Sequence, residues 1–227
     1  MQKNATWRTF ANADQVAEAA CEQILNASKQ AIDERGRFKL VLAGGTTPEK
    51  VYRLLSKAKT NWSKWQIYFG DERCLPADHA DRNSVMATRS LLAQVPIPAE
   101  QIFTIPAELG PEAGAQQYLQ AVADALPFDL VLLGMGEDGH TASLFPGHVH
   151  NNDELTHAVY NSPKPPPERV SISAKALSDT RQLIFLITGK NKQVPVKQWR
   201  EGMDLPVATI EPNNPVDIYI DSDALPS

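Results

Sequence analysis

The chain has 227 residues, of which 42% are hydrophobic and 22% charged, and its formal net charge is −5 at pH 7. This composition is typical of a globular protein, and the length fits one domain over residues 1–227. Because no basic run is present, the charge disfavours nucleic acid and anionic membranes as partners, and an anionic substrate would need a local cationic pocket.

The start of the chain and its apolar runs predict a cytoplasmic protein. Residues 1–10 contain no apolar leader segment, and no later apolar run approaches the roughly 18 residues that a membrane helix needs. The two cysteines, Cys21 and Cys74, have no metal-motif partners, so we interpret both as reduced. We expect a monomer or a small homo-oligomer.

The first half of the chain alternates helical and strand patterns. Apolar residues recur at helical spacing between residues 12 and 35, and Gly36 is placed to end that helix. Residues 38–43 predict a buried strand, which a glycine turn connects to a second helix with Pro48 in its first turn. Further strands are predicted at 65–70 and 128–134, and further helices at 83–93 and 111–125.

The second half continues the alternation, with strands predicted at 169–173, 182–188, 207–210 and 216–220. A helix is predicted at 190–200, where we expect Pro195 to perturb it. Residues 161–168 contain four prolines and predict a stiff extended loop. The whole pattern predicts an α/β fold of Rossmann-like type. Its sheet is open and mostly parallel, with helices on both faces and ligands at the carboxyl ends of strands.

The first glycine turn is a candidate phosphate site. Gly44, Gly45, Thr46 and Thr47 follow a predicted strand and open a helix, so backbone N–H groups and hydroxyls converge there. The turn lacks the lysine of a Walker loop, and a tight turn with a helix cap is the alternative interpretation.

Charged residues follow the next strand at the same edge of the predicted sheet. They are Asp71, Glu72 and Arg73, and the guanidinium of Arg73 is suited to grip a phosphate as a bidentate fork. The alternative is a solvated turn with an internal ion pair.

The third strand leads into residues 134–146, which formally contain the G-x-G-x-x-G pattern of dinucleotide sites. Pro146 follows Gly139 too closely to leave room for the crossover helix of such a site, so we predict no nucleotide and no other cofactor. The glycines instead allow backbone to approach a substrate. Beside them, Asp138 and His140 suggest an imidazole that takes a proton from water and returns it to a leaving oxygen.

Two other interpretations of this region are disfavoured. A Ser143-His140-Asp138 triad lacks the G-x-S-x-G elbow around its serine. Three of the five histidines fall within ten residues, but their spacing is a weak zinc signal, so we predict a solvated loop and no metal site. These histidines are His148, His150 and His157.

Three segments together resemble the 6-phosphogluconolactonase family in sequence, order and spacing: LAGGTTP at 42–48, GDER at 70–73 followed by LP at 75–76, and GMGEDGHTASLFP at 134–146. The likeness extends to Arg169 and to TGKNK at 188–192, and so spans nearly the whole chain. The resemblance implies the open α/β sheet of sugar-phosphate isomerases and lactonases, which glucosamine-6-phosphate deaminases share. It also implies a phosphate site that combines the glycine turn with Arg73, Arg169 and Lys192.

The sequence departs from the family pattern at two positions. Ala43 replaces a commoner serine, and Arg82 stands where the family usually has serine. Arg82 either adds a phosphate contact or points to solvent, and its neighbour Asn83 is kept as a candidate substrate ligand.

We therefore predict a carboxylic ester hydrolase that converts 6-phospho-D-glucono-1,5-lactone to 6-phospho-D-gluconate in the oxidative pentose phosphate pathway. His140 activates water, Asp138 orients the imidazole, and backbone N–H groups near Gly136 and Gly139 stabilise the oxyanion. The predicted substrate-binding residues are Gly44, Gly45, Thr46, Thr47, Asp71, Arg73, Asn83, Gly136, Gly139, Arg169 and Lys192.

Two alternatives are an isomerase or deaminase and a catalytically silent sugar-phosphate-binding regulator. The deaminase relatives have a glutamate that supports the catalytic histidine, and Phe145 stands at that position here. Asp71 matches their other carboxylate, but Arg73 replaces an aromatic residue of theirs and favours a bound anion.

Overall fold

A computed structural model describes residues 5–151 and 153–226. The strands are β1 (Ala5–Phe10), β2 (Phe38–Leu42), β3 (Trp65–Phe69), β4 (Asp71–Arg73), β5 (Leu130–Gly134), β6 (Thr156–Val159), β7 (Arg169–Ile172), β8 (Leu183–Ile187) and β9 (Val216–Asp221). The helices are α1 (Ala13–Arg35), α2 (Thr46–Leu55), α3 (Asn83–Ala87), α4 (Pro111–Ala125), α5 (Ala174–Ser178) and α6 (Gln193–Arg200).

The main sheet of the described chain has six parallel strands in the order β1-β9-β8-β5-β2-β3. The predicted α/β class with an open, mostly parallel sheet is confirmed. Because the strands run in one direction, their carboxyl ends share one edge, and the segments after β2, β3, β5 and β8 meet there. These are the segments in which the sequence places its chemistry.

A second, antiparallel sheet has the order β4-β7-β6 and was not predicted. The strand expected at 169–173 belongs to this sheet and not to the parallel one. Gly70 connects the two sheets, because its N–H donates to the carbonyl of Leu42 and its carbonyl accepts from the N–H of Ile172. The second sheet therefore lies next to the carboxyl edge of the first.

Helix α1 begins and ends where the sequence predicts. The Asn12 side chain accepts hydrogen bonds from the N–H groups of Asp14 and Gln15, which caps the first turn. Gly36 has φ of 74°, the left-handed conformation that commonly ends a helix. Aromatic contacts pack α6 against the main sheet. The centre of the Trp199 ring of α6 lies 5.3 Å from that of Trp7 in β1 and 5.2 Å from that of Phe185 in β8.

Several expected elements differ in the structure. The strand predicted at 207–210 is wrong: Pro206–Thr209 forms a 3₁₀ helix, and the three-residue spacing of buried Val207 and Ile210 fits such a turn. Pro195 does not perturb α6, because it lies in the first turn, where no intrahelical bond needs its N–H. The helix predicted at 83–93 forms, but α3 continues into a π-helical turn, Thr88–Leu92. None of the described helices is long and apolar enough to span a membrane.

Candidate active site

A cleft of about 360 Å³ opens at the carboxyl edge of the main sheet. It brings together most of the residues that the sequence predicts for the site, namely Gly44, Gly45, Asp71, Arg73, Asn83, Gly136, His140, Arg169 and Lys192. Four predicted residues do not line it: Thr46, Thr47, Asp138 and Gly139. Eight other residues that line the cleft were not predicted as site residues: Ala43, Gly70, Leu133, Gly134, Met135, Thr141, Ala142 and Lys164.

His140 and Asp138 form a hydrogen-bonded pair at the end of β5. The Nδ1 atom of His140 lies 2.5 Å from Oδ1 of Asp138, and the imidazole is 16% exposed. Burial lowers the pKa of His140 below 6.5, although the Asp138 carboxylate opposes this shift. Burial also resists the ionisation of Asp138, but His140 outweighs it and leaves the pKa of Asp138 below its usual value. The imidazole is therefore neutral at pH 7 and its partner is ionised.

The two glycines of this turn have steric roles. A Cβ on Gly136 would lie 2.0 Å from His140 Nδ1, so only glycine leaves space for the ring. Gly139 has φ of 81° and faces Leu205, whose side chain would lie 2.9 Å from an added Cβ. Backbone N–H groups near these glycines were predicted to stabilise the oxyanion, but the N–H groups of the two glycines themselves are already donated within the turn. The Gly136 N–H donates to the carbonyl of His140, and the Gly139 N–H donates to the carbonyl of Gly136.

Asp71 lines the cleft and accepts hydrogen bonds from two neighbouring side chains. Its Oδ2 accepts a 2.6 Å hydrogen bond from the Ser143 hydroxyl, and its Oδ1 accepts a 3.1 Å bond from the Asn83 amide. Asn83 in turn contacts the glycine turn, because a Cβ on Gly44 would lie 2.1 Å from Asn83 Oδ1. Ser143 is fully buried and bonded to Asp71, so a serine nucleophile paired with His140 is excluded here.

Arg82 neither contacts the cleft nor points to solvent, so both expectations for it are wrong. Its side chain is 3% exposed, its Nη1 lies 2.7 Å from Glu108, and its Nε lies 3.4 Å from Glu72. Glu72 is also buried and accepts hydrogen bonds from the N–H groups of Asn83 and Ser84, which caps α3. The solvated-turn interpretation of Glu72 is therefore wrong as well.

Four cationic side chains line the cleft: Arg73, Lys164, Arg169 and Lys192. Arg73 donates from Nη1 to the carbonyl of Asp81. Lys192 follows β8 in a 3₁₀ turn, and burial lowers its pKa. Their concentration gives a chain of net negative charge the local cationic pocket that an anionic substrate needs.

Gly44 and Gly45 line the cleft directly before α2 begins at Thr46. Thr47 is buried and its hydroxyl shares a 2.6 Å hydrogen bond with that of Thr188, which links the turn to the end of β8. Thr46 is exposed at the first position of the helix. The first N–H groups of a helix have no intrahelical partner, so this end of α2 is suited to an anion.

The three neighbouring histidines line a second cavity of about 230 Å³ outside the cleft. The solvated-loop expectation is wrong for His157, which is buried, stacks on His150 with ring centroids 4.4 Å apart, and lies 3.1 Å from Glu154. Burial lowers the pKa of His150 to about 4. Residues 5–151 and 153–226 contain no group of three or more His, Cys, Asp or Glu side chains placed to hold a metal ion.

Comparison with known proteins gives consistent similarities. The family described as glucosamine-6-phosphate isomerases and 6-phosphogluconolactonases matches residues 11–219. The human 6-phosphogluconolactonase is 36% identical over 195 residues, which cover 79% of this chain and 76% of that protein. A probable chloroplastic 6-phosphogluconolactonase of rice, Oryza sativa subsp. indica, is 37% identical over 196 residues. That match covers 78% of this chain and 60% of the rice protein, so the chain spans about three-fifths of the length of this relative.

Solved structures share the architecture. The 6-phosphogluconolactonase of Thermotoga maritima superposes with a TM-score of 0.90 at 26% identity, over 96% of this chain and 100% of that one. A monomeric glucosamine-6-phosphate deaminase superposes with a TM-score of 0.84 at 21% identity, over 96% of this chain and 98% of that one. Lactonases and deaminases therefore share this fold, and the choice between the two activities depends on the site.

Proposed function

The chain belongs to the family of glucosamine-6-phosphate isomerases and 6-phosphogluconolactonases, and from this membership we propose that it hydrolyses 6-phospho-D-glucono-1,5-lactone to 6-phospho-D-gluconate, a step of the oxidative pentose phosphate pathway. The observation that carries the proposal is the His140–Asp138 pair in a cleft with four cationic side chains. A neutral imidazole suits attack of water on a lactone, and the cations suit a phosphorylated substrate.

The hydrogen bond of the pair indicates which nitrogen of His140 acts. An ionised carboxylate only accepts, so Nδ1 carries the hydrogen that is donated to Asp138. Nε2 then has the free electron pair, and we assign it as the general base. The imidazolium that forms during the reaction is stabilised by the same carboxylate.

Hydrolysis needs no covalent bond to the protein. Nε2 of His140 takes a proton from water while the water oxygen bonds to the lactone carbonyl carbon. The tetrahedral intermediate then expels the ring oxygen, which receives the proton from His140 as the carbon–oxygen bond of the ring breaks. Donation of this proton returns the imidazole to its neutral form. The products are a free hydroxyl group and a carboxylic acid, which loses its proton to water and becomes the carboxylate.

The phosphate fixes the position of the lactone relative to His140. We assign it to Gly44, Gly45, Arg73 and Lys192, which all line the cleft together with Arg169. Binding energy from this remote group lowers the barrier at the carbonyl by holding the reacting atoms in place. Asp71 and Asn83, which also line the cleft and are hydrogen-bonded to each other, are assigned to contacts with the sugar portion.

The test is a direct assay with freshly generated 6-phosphogluconolactone, corrected for spontaneous hydrolysis. We expect His140→Ala to fold and to bind 6-phosphogluconate, but to lower kcat roughly 10²- to 10⁴-fold, as the loss of a positioned general base does. Near-wild-type turnover of this variant would remove His140 from the mechanism. A wild-type protein that binds 6-phosphogluconate without accelerating hydrolysis would instead be the silent regulator.

A further inference from the structure

The proline-rich loop at 161–168 places a lysine in the cleft that no sequence motif indicated. Lys164 lines the same space as Arg73, His140 and Lys192. Its side chain is 42% exposed, so the ammonium group is accessible to a ligand. Its positive charge also acts to lower the pKa values of His140 and Lys192, which places it within electrostatic reach of both.

Arg169, which the family resemblance assigns to the phosphate, uses its hydrogen bonds to hold this loop. Its Nη2 donates to the carbonyls of Lys164 and Pro165, each at 3.0 Å, and its Nε donates to the carbonyl of Pro166 at 3.3 Å. The side chain is buried, and its guanidinium carbon lies 5.5 Å from the centre of the Phe145 ring.

This pattern leaves no edge of the Arg169 guanidinium for a bidentate phosphate. An arginine binds a phosphate in bidentate fashion through either Nε and Nη2 or Nη1 and Nη2. Both arrangements need a hydrogen of Nη2, and both of its hydrogens are already donated to carbonyl groups. Direct binding of phosphate by this fork would require Arg169 to release the loop that it holds.

Among the described residues, the ammonium group of Lys164 forms one long ion pair. Its Nζ lies 3.7 Å from Oε2 of Glu137, and the other oxygen of Glu137 accepts a 2.6 Å hydrogen bond from Asn191. Glu137 is thus the counterion between the loop of Lys164 and the turn that carries Lys192. A phosphate monoester carries a charge of about −1.5 to −2 at pH 7 and three acceptor oxygens, so it competes well for the ammonium group.

We propose that Lys164 is a ligand of the substrate's phosphate and that Arg169 is the positioning residue that holds Lys164 over the cleft. The proposal rests on the proposed function for the identity of the anion. It adds a ligand to the predicted site and changes the role of Arg169. Arg169 contributes to binding through the loop, so its effect depends on the presence of Lys164.

The experiment is a double-mutant cycle of Lys164→Met and Arg169→Lys, measured by kcat/KM for 6-phosphogluconolactone and for unphosphorylated gluconolactone. Lys164→Met keeps the aliphatic stem and is expected to lower kcat/KM for the phosphorylated lactone roughly tenfold to hundredfold, as loss of a charged hydrogen bond does. The unphosphorylated lactone should lose little. Lys190→Met, at an exposed lysine of the neighbouring turn, is the matched control for the lost charge and should stay near wild type.

The cycle separates positioning from direct binding. If Arg169 acts through Lys164, adding Arg169→Lys to Lys164→Met causes little further loss. If the two residues bind phosphate independently, the two fold-losses multiply, and the role given to Arg169 is overturned. Hydrogen exchange supplies a second readout, since Arg169→Lys should increase exchange in residues 161–168 while Lys164→Met should not.

Binding of inorganic phosphate and of 6-phosphogluconate to the same proteins can be measured by calorimetry without any hydrolysis. This measurement therefore tests the role of Lys164 separately from the proposed function. Weaker binding by Lys164→Met, with Lys190→Met unchanged, supports the ligand role even if the wild type hydrolyses no lactone. Wild-type affinity in Lys164→Met, or no binding of either anion by the wild type, overturns it.

Discussion

Gly136 and His140 occupy a space that admits only one side chain, because a Cβ on Gly136 would lie 2.0 Å from Nδ1 of His140. The same Nδ1 makes the 2.5 Å contact with Asp138. The absence of a side chain at Gly136 therefore allows the His140 ring to hydrogen-bond to Asp138.

We expect Gly136→Ala to displace the His140 ring, to break its contact with Asp138, and to lower kcat roughly as much as loss of the base, 10²- to 10⁴-fold. The measurement is kcat together with the His140 ring signals by NMR. Gly134→Ala is the control, because its added methyl group meets no atom within 4 Å, and its His140 signals should match wild type. Wild-type signals and kcat in Gly136→Ala would refute the steric role.

The pH dependence of kcat/KM follows from the neutral base. Since burial lowers the pKa of His140 below 6.5, activity should rise with pH through that lowered pKa and be level at pH 7. Asp138→Asn removes the charge that raises the pKa of His140, so the acid limb should move to lower pH, with a lower plateau because the ring loses its anchor. A shift of the acid limb to higher pH would contradict this arrangement.

Arg73→Ala should act mainly on the phosphorylated substrate. Arg73 lines the cleft, so loss of its charge should lower kcat/KM for 6-phosphogluconolactone with much less effect on gluconolactone. The control is Arg181→Ala, which removes a positive charge beside Asp129. Asp129 accepts a hydrogen bond from the N–H of Lys39 at the opposite end of the sheet, away from the cleft. Equal losses on both lactones would mean that Arg73 is not a phosphate ligand.

Activity should survive EDTA treatment and dialysis, because the proposed base is a free imidazole and the histidine cluster has unsuitable geometry. The rings of His150 and His157 are nearly parallel, at 17°, and stacked, whereas ligand nitrogens must point in the ring planes toward a common centre. The measurement is lactone hydrolysis before and after chelation. Loss of activity that zinc restores would overturn this expectation.

The protein should release no ammonia and form no ketose from glucosamine 6-phosphate under conditions of rapid lactone hydrolysis. Isomerisation moves protons between carbons and opens the sugar ring, which needs a further acid or base near His140. Phe145 stands at the position of that carboxylate and packs on the imidazole, with ring centroids 4.6 Å apart. Ammonia release at a rate comparable to lactone hydrolysis would favour the deaminase alternative.

The sequence by itself determined the elements that carry strong local signals and the candidate base. Periodicity and backbone preference act over a few residues, so they can be read from the sequence directly. They determine the apolar stripe and the caps of α1, the apolar runs of β5 and β8, and the glycine turn before α2. His140 and Asp138 are two residues apart, so their contact is local too.

Tertiary structure alone decided the second sheet and the neighbours of the charged residues. Strands β4 and β6 are short, so no strong local pattern marks them. Strand β4 pairs with β7 from a distant part of the chain, whereas β6 pairs with β7 across the proline-rich loop. Burial of Arg82 depends on Glu72 and Glu108, and the place of Lys164 in the cleft depends on the carbonyl contacts of Arg169. A lysine in a proline-rich loop before a strand was the available signal, but periodicity does not show which way such a loop folds. Charges in loops take their roles from long-range contacts, and these exist only in the folded chain.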